Sequence, residues 1–185
     1  MIARDLIQAV PKSDLHTHLD GSMRVSTVIE LAREQGVSLP SYEVEGLNAL
    51  VFKPVYGDLP EYLAGFQYTC AVLRSFEAME RAAFELAEDA AAQGVRYVEV
   101  RFAPQLLVPT GDACVRALKA VGDGLARAAR LHNALPAVLQ GEDIPFEWSI
   151  ICCAMRNFTR GMGVYFDNLL DLLPGMAHKD LVSTA

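Results

Sequence analysis

Two histidines one residue apart, His16 and His18, are the side chains of this sequence best suited to holding a metal ion. They sit in the run Asp14-Leu15-His16-Thr17-His18-Leu19-Asp20-Gly21. If that run is a strand, its side chains alternate, and Asp14, His16 and His18 share one face. The two histidine Cα atoms then lie ~6.6 Å apart at ~3.3 Å per residue, a span that two imidazoles can close onto one divalent ion at ~2.1 Å. An ordinary strand surface or a core can equally hold such a pair, so spacing by itself leaves both readings open. Asp20 follows directly. Its carboxylate could accept a charge-assisted hydrogen bond from a ligand, or could form an Asx turn with Gly21-Ser22. Cysteine offers no alternative metal cage, because Cys70, Cys114, Cys152 and Cys153 form no C-x-x-C pair. The adjacent Cys152 and Cys153 would point to opposite faces of a strand, so these thiols read as reduced and buried.

The elements that must position these residues follow from periodicity and punctuation. Residues 2–10 read as a short helix ended by Pro11, and residues 13–19 as a first strand broken by Asp20-Gly21. Residues 25–35 are helical, with Val28, Leu31 and Ala32 on one stripe and Gly36 as the stop. Residues 38–57 mix turn formers with short apolar pairs and read as an insertion, after which helices span 59–75 and 76–93. Gly94 closes that helix, and Val95-Arg96-Tyr97-Val98-Glu99-Val100-Arg101-Phe102 forms a second strand, stopped by Pro104. A helix over 113–131 comes next, then a turn-rich connection through Gly141 and Pro145, a third strand over 148–155, and a last helix over 166–173. Strands separated by helices imply parallel pairing with right-handed crossovers, so the expected class is α/β.

Composition removes several function classes. The chain has 185 residues, 52% of them hydrophobic, and a mean hydropathy of +0.20, enough apolar material for one core. Net charge is -7 with pI near 5.1, and the basic residues are scattered, so no stripe is available to neutralise a phosphate backbone and nucleic acid is not an expected partner. Apolar runs stay far below the ~20 residues of a membrane span, and Asp5 falls where a secretion signal would carry its apolar centre. No membrane association is expected, and the expected compartment is the cytoplasm.

The run Pro11-Lys12-Ser13-Asp14-Leu15-His16-Thr17-His18-Leu19-Asp20-Gly21-Ser22 resembles the first-strand motif of the adenosine deaminase family. Gly94 through Leu106 resembles that family's second strand, and Ile150-Ile151-Cys152-Cys153-Ala154-Met155-Arg156 resembles its third. The resemblance implies a partial TIM-type (β/α) barrel, about three βα units of the eight that close such a barrel. It also implies hydrolytic deamination of adenosine or deoxyadenosine to inosine and ammonia. In that reaction one zinc ion lowers the pKa of a water, the hydroxide attacks C6 of the purine, a carboxylic acid protonates N1, and ammonia leaves. His16 and His18 would be zinc ligands, His18 would also touch the substrate, and Asp20 would bind the ribose hydroxyl end of the nucleoside.

Leu59, Tyr62, Leu63 and Phe66 fall at i, i+3, i+4 and i+7, which on spacing alone is a core-packing stripe. The same segment resembles the family's helix over the purine pocket, which would make these four residues substrate contacts. Glu99, Arg101 and Arg156 are charges inside strands, and burial would oblige them to pair, so an inward ion-pair network of structural purpose is expected. His132 and His178 lie in polar helix-end contexts and are not expected to be metal ligands. By the resemblance, residues 1–185 form the amino-terminal part of a barrel domain, without its carboxy-terminal part. The family's third histidine ligand, its His-Ala-Gly-Glu stretch, its further histidine and its late Asp-Asp pair are not found after Met155. Asn157 stands where many relatives carry a histidine. The zinc site in this chain is therefore expected to be incomplete and to include no catalytic acid or base, the isolated chain to be inactive, and its open barrel edge to self-associate. Two other readings are a non-catalytic remnant and another amidohydrolase with an H-x-H first strand.

Overall fold

The computed structural model of the chain describes residues 6–7, 10–109 and 111–153. Three parallel strands form one sheet in the order β1 (Lys12–His18), β2 (Val95–Phe102) and β3 (Glu147–Cys152). Between β1 and β2 come α1 (Val25–Gln35), α2 (Val44–Leu50), α3 (Leu59–Ala64), α4 (Phe66–Val72) and α5 (Phe76–Ala92). Between β2 and β3 come α6 (Pro104–Leu107), α7 (Gly111–Asn133) and α8 (Pro136–Leu139). The α/β reading holds: this is an arc of parallel strands with α5 and α7 packed on one face.

The β2 sequence sets the two faces. Val98, Val100 and Phe102 are buried on the helix side, against α5 and α7, and join Met79, Ala83, Leu86, Leu118, Val121 and Leu125 in one core. Tyr97, Glu99 and Arg101 alternate onto the other face. α7 comes so close to α5 at Gly124 that a β-carbon there would lie 2.2 Å from the Glu80 carbonyl oxygen. α1 is tied to α5 by polar pairs: the Thr27 hydroxyl donates to Glu85 at 2.6 Å, and Arg81 donates to both Glu85 (2.8 Å) and Glu30 (2.6 Å). Arg24, just before α1, donates to Glu88 and to both oxygens of Asp89.

Local signals explain the element ends. α1 ends at Gly36, whose φ of 69° is the left-handed conformation that glycine adopts freely. α5 starts at Ser75, whose hydroxyl accepts from the Ala78 N–H at 3.0 Å, a cap worth about 1 kcal/mol. Four differences from the sequence expectation stand out. The insertion before residue 57 contains α2, anchored by fully buried Leu47. The helix over 59–75 is two helices meeting at Gly65. Pro104 starts the short α6 as well as ending β2, because proline lacks only an N–H that the first helical turn would leave unpaired. α8 lies in the connection before β3. Of the first expected helix the structure describes residues 6, 7 and 10, while the end of the third strand at 154–155, Arg156, Asn157, the 166–173 helix and His178 lie outside the described residues.

Candidate functional site

β1 carries the histidine pair through an irregularity that alternation did not anticipate. Along the β1–β2 ladder Asp14 faces Val98, Thr17 faces Val100 and His18 faces Arg101, so three residues of β1 span two of β2. That extra residue makes a bulge. Asp14 and Thr17 therefore lie on the helix side with Val98 and Val100, and both line a recess there with Asp89 and Gln93 of the α5 end. Asp14 does not share a face with the histidines. Its carboxylate instead accepts from the His16 N–H at 3.2 Å, closing the bulge.

The rings of His16 and His18 do come together, with centroids 5.4 Å apart and planes at 42°. A zinc ion ~2.1 Å from one nitrogen of each ring lies about 3.2 Å from each centroid, so rings up to about 6.4 Å apart can share it. The donor type and the separation fit two positions of a zinc shell. A catalytic zinc site takes three protein ligands, and no group of three histidine, cysteine, aspartate or glutamate side chains suited to a metal occurs among the described residues. Arg101 Nη1 lies 2.8 Å from His16 Nδ1 and 3.1 Å from Nε2. A single atom that near both ring nitrogens lies over the face of the imidazole, out of line with the in-plane lone pair that a metal would use.

Of the ion-pair network expected inside the sheet, Arg156 lies outside the described residues. Glu99 accepts from the Tyr97 hydroxyl at 3.0 Å, Arg101 reaches His16 and the Cys153 sulfur, and neither has an ion-pair partner among the described residues. Both are half-buried rather than enclosed, which removes the need for a countercharge. Buried polar groups are nearly always satisfied. Asp20 Oδ1 and Arg101 Nε, on either side of the histidine pair, are buried without a hydrogen-bond partner among the described residues. His132 packs on Phe146, with its Nε2 3.3 Å from the Ile144 carbonyl oxygen.

Beside His18 opens a recess of about 220 Å³ lined by Asp20, Gly21, Met23, Val25, Phe52, Tyr56, Tyr62, Gly65, Phe66 and Thr69. Enclosed ligand pockets run to ~300–1,000 Å³, so this recess is smaller than a complete one. An edge-to-face ladder of aromatic rings crosses it: Tyr56 to Tyr62 at 5.2 Å, Tyr62 to Phe66 at 5.6 Å, and Phe66 to His18 at 6.5 Å. Local sequence sets the ladder's start. Asp58 caps α3 by accepting from the Glu61 N–H at 2.8 Å, while Glu61 accepts from Gly57 N–H (2.6 Å) and Lys53 (2.5 Å). Those donors hold the Glu61 carboxyl below its ordinary value, the Lys53 ammonium foremost.

The four-residue stripe divides. Tyr62 and Phe66 line the recess, whereas Leu59 and Leu63 lie one turn apart on the outer side, 65% and 51% exposed, and no residue of α3 is buried. The core-packing reading of the stripe is corrected on that ground: helical spacing defines a face but does not supply a layer to cover it. Asp20 sits at the recess with 14% of its side chain exposed and Oδ1 3.7 Å from His18 Nδ1. Its Oδ2 faces Cys70 Sγ at 3.7 Å. Burial, and then the Asp20 charge and hydrogen bond, push the Cys70 thiol up to about 12. Phe52, Tyr56, Thr69 and Cys70 were not legible as site residues, since only folding brings 52–70 to the end of β1.

Parallel strands with outer helices form an arc of a (β/α) barrel, the fold class whose sites lie at the carboxyl end of the strands, where the histidine pair stands. The profile of the adenosine deaminase family matches residues 11–158. A "Probable adenosine deaminase" of Dictyostelium discoideum is 40% identical over 157 residues, covering 84% of this chain and 19% of that protein. The adenosine deaminase of Shewanella woodyi is 36% identical over 177 residues, covering 93% of this chain and 53% of that protein. Among solved structures, an amidohydrolase from Burkholderia ambifaria with bound Zn superposes with a TM-score of 0.67 at 25% identity, over 97% of this chain and 44% of that one. An ADAL–IMP complex superposes with a TM-score of 0.60 at 26% identity, over 84% and 44%. The chain belongs to the adenosine deaminase family. It spans about half the length of the Shewanella relative and less of the Dictyostelium one.

Proposed function

We propose that this chain carries the first metal ligands and one wall of the nucleoside pocket of a zinc-dependent aminohydrolase that converts adenosine or deoxyadenosine to inosine and ammonia. The observation that carries the reading is the His16–His18 pair, rings 5.4 Å apart, at the edge of a recess lined by Asp20 and three aromatics in edge-to-face contact. The family match, a Zn-containing neighbour and an IMP-bound neighbour support it.

On this reading His16 and His18 hold the ion through ring nitrogens. When bound, zinc supplies an acidified water at neutral pH. Asp20 accepts a ribose hydroxyl, and His18 lies close enough to Asp20 to contact the same end of the ligand. Tyr62 and Phe66 offer ring faces and edges to the purine and exclude water from it. Leu59 and Leu63, apolar and exposed beside the recess, are assigned to the substrate wall on the family resemblance. The described residues offer the metal two histidines, short of the three protein ligands of a catalytic zinc, and the chain by itself is expected to turn over no adenosine, which an activity assay on zinc-loaded chain checks.

The non-catalytic alternative draws on the same two-ligand count and predicts no specific zinc. Dialysis against trace zinc followed by metal analysis separates the two. The proposal expects zinc retained by the chain and lost at least tenfold on His18→Ala, and zinc that is absent, or unchanged in the variant, removes the metal reading. Two further parts belong to the proposal. β1 and β3 each have one unpaired edge among the described residues, which supports self-association through those edges, measurable by light scattering. No helix among the described residues is long and apolar enough to cross a membrane, and all four cysteines are free, which supports residence in the cytoplasm.

A further inference from the structure

We propose that Cys70 is the positioning residue for Asp20: its thiol donates to Oδ2 and fixes the carboxylate against the recess wall beside His18. The inference deepens the nucleoside reading and rests on it for the purpose of Asp20, though not for the contact itself. Three observations converge. First, the Asp20 side chain is sheltered, 14% exposed, and burying a polar group is costly unless hydrogen-bond partners meet it. Second, among the described residues the Cys70 thiol is the one hydrogen-bond donor that reaches it: Oδ2 lies 3.7 Å from Sγ, while Oδ1 is buried with no hydrogen bond and stands 3.7 Å from His18 Nδ1. Third, Cys70 lies on α4, the helix that begins with Phe66, so one rigid turn sets both the aromatic edge facing His18 and the donor facing Asp20.

The choice of a thiol has a chemical consequence. S–H is a weak donor, so it selects the carboxylate's rotamer while leaving most of its accepting capacity for a stronger O–H partner. A carboxylate has about four acceptor sites, and one S–H occupies one of them. With burial and the neighbouring Asp20 keeping the sulfur protonated, the donor persists throughout the neutral range. The residue touches neither substrate nor metal in this scheme and acts through Asp20. A purely structural cysteine filling the α4 contact would pack equally well as valine.

The test reads the bond directly. The S–H infrared band of Cys70 is assigned in the 185-residue chain as the band lost in Cys70→Val. It should lie at the lower frequency of a hydrogen-bonded thiol and move up in Asp20→Ala and in Asp20→Asn, either variant sufficing if the other does not fold. A band in the free-thiol position in the wild-type chain, or one unmoved by both Asp20 variants, overturns the proposal. Inosine binding supplies the second readout. Cys70→Val should weaken it about tenfold while Cys70→Ser, which keeps a donor, stays within about threefold of wild type. Equal affinity of the valine and wild-type chains also overturns it. A wild-type chain that binds no inosine removes the nucleoside reading, and the infrared band still decides the thiol contact.

Discussion

Replacing Gly124 with alanine should destabilise the chain, although the same change two residues earlier should stabilise it. Both glycines lie inside α7. In an exposed helix, Gly→Ala gains about 1 kcal/mol from reduced backbone freedom in the unfolded chain. At Gly122 the new β-carbon would meet Trp148 Cη2 at 3.6 Å and Ile150 Cδ1 at 3.8 Å, ordinary van der Waals contacts, so that gain survives. At Gly124 it would lie 2.2 Å from the Glu80 carbonyl oxygen, 3.0 Å from the Phe84 nitrogen and 3.1 Å from Ala83 Cβ. The first two are backbone atoms of α5, which cannot rotate aside. The two helices must separate by about 1 Å, loosening the layer under β2 and β3. Overpacking of this kind costs about 2–3 kcal/mol, which the propensity gain offsets by about 1, leaving a net loss of about 1–2 kcal/mol. For a domain of this size roughly 2–4 °C accompanies each kcal/mol, so Gly124→Ala should lower Tm by roughly 2–8 °C and Gly122→Ala raise it by roughly 2–4 °C. Thermal and urea unfolding of both variants measure this. A Gly124→Ala chain as stable as wild type would refute the close α5–α7 approach, whatever Gly122→Ala does.

Two further expectations concern the end of the sheet away from the histidines. Arg96 donates to both oxygens of Asp143, at 2.9 and 2.8 Å, and with the Ile144 N–H holds the Asp143 carboxyl below its ordinary value. A depressed carboxyl contributes stability that is present above its unfolded pKa and is lost as pH falls through the folded value. Asp143→Asn should therefore cost about 1 kcal/mol at pH 7, a part-exposed bridge being screened, and the difference should shrink below about pH 4. Urea midpoints at pH 7 and pH 3 check it, and a gap that widens in acid contradicts the pairing. Phe146, 1% exposed where the chain enters β3, also has both backbone polar groups bonded to the Asn133 side chain. Phe146→Ala should cost about 3–5 kcal/mol by cavity formation, read as a fall in the urea midpoint, whereas a loss under 1 kcal/mol would mean that this corner is not packed.

Much of this protein was legible from residue order. Helix α1 over Val25–Gln35 and strand β2 over Val95–Phe102 follow from 3.6- and 2-residue periodicity ended by Gly36 and Pro104, because those signals act within one turn or one strand. The histidine pair follows from its spacing, and Asp20 as a candidate from the resemblance of residues 11–22 to the family's first strand. Tertiary structure decided the rest. The bulge at Asp14–Thr17 depends on the register against β2, which no β1 residue encodes alone, and it moves Asp14 to the opposite face from the histidines. Helical spacing grouped Leu59 and Leu63 with Tyr62 and Phe66, yet a stripe does not say what it faces, and here half of it looks outward. The contacts of Arg101 with His16, and of Cys70 with Asp20, join residues 85 and 50 positions apart. Periodicity is a local property of the chain, whereas a site is assembled by long-range packing, which is why candidate residues could be named from sequence and their neighbours could not.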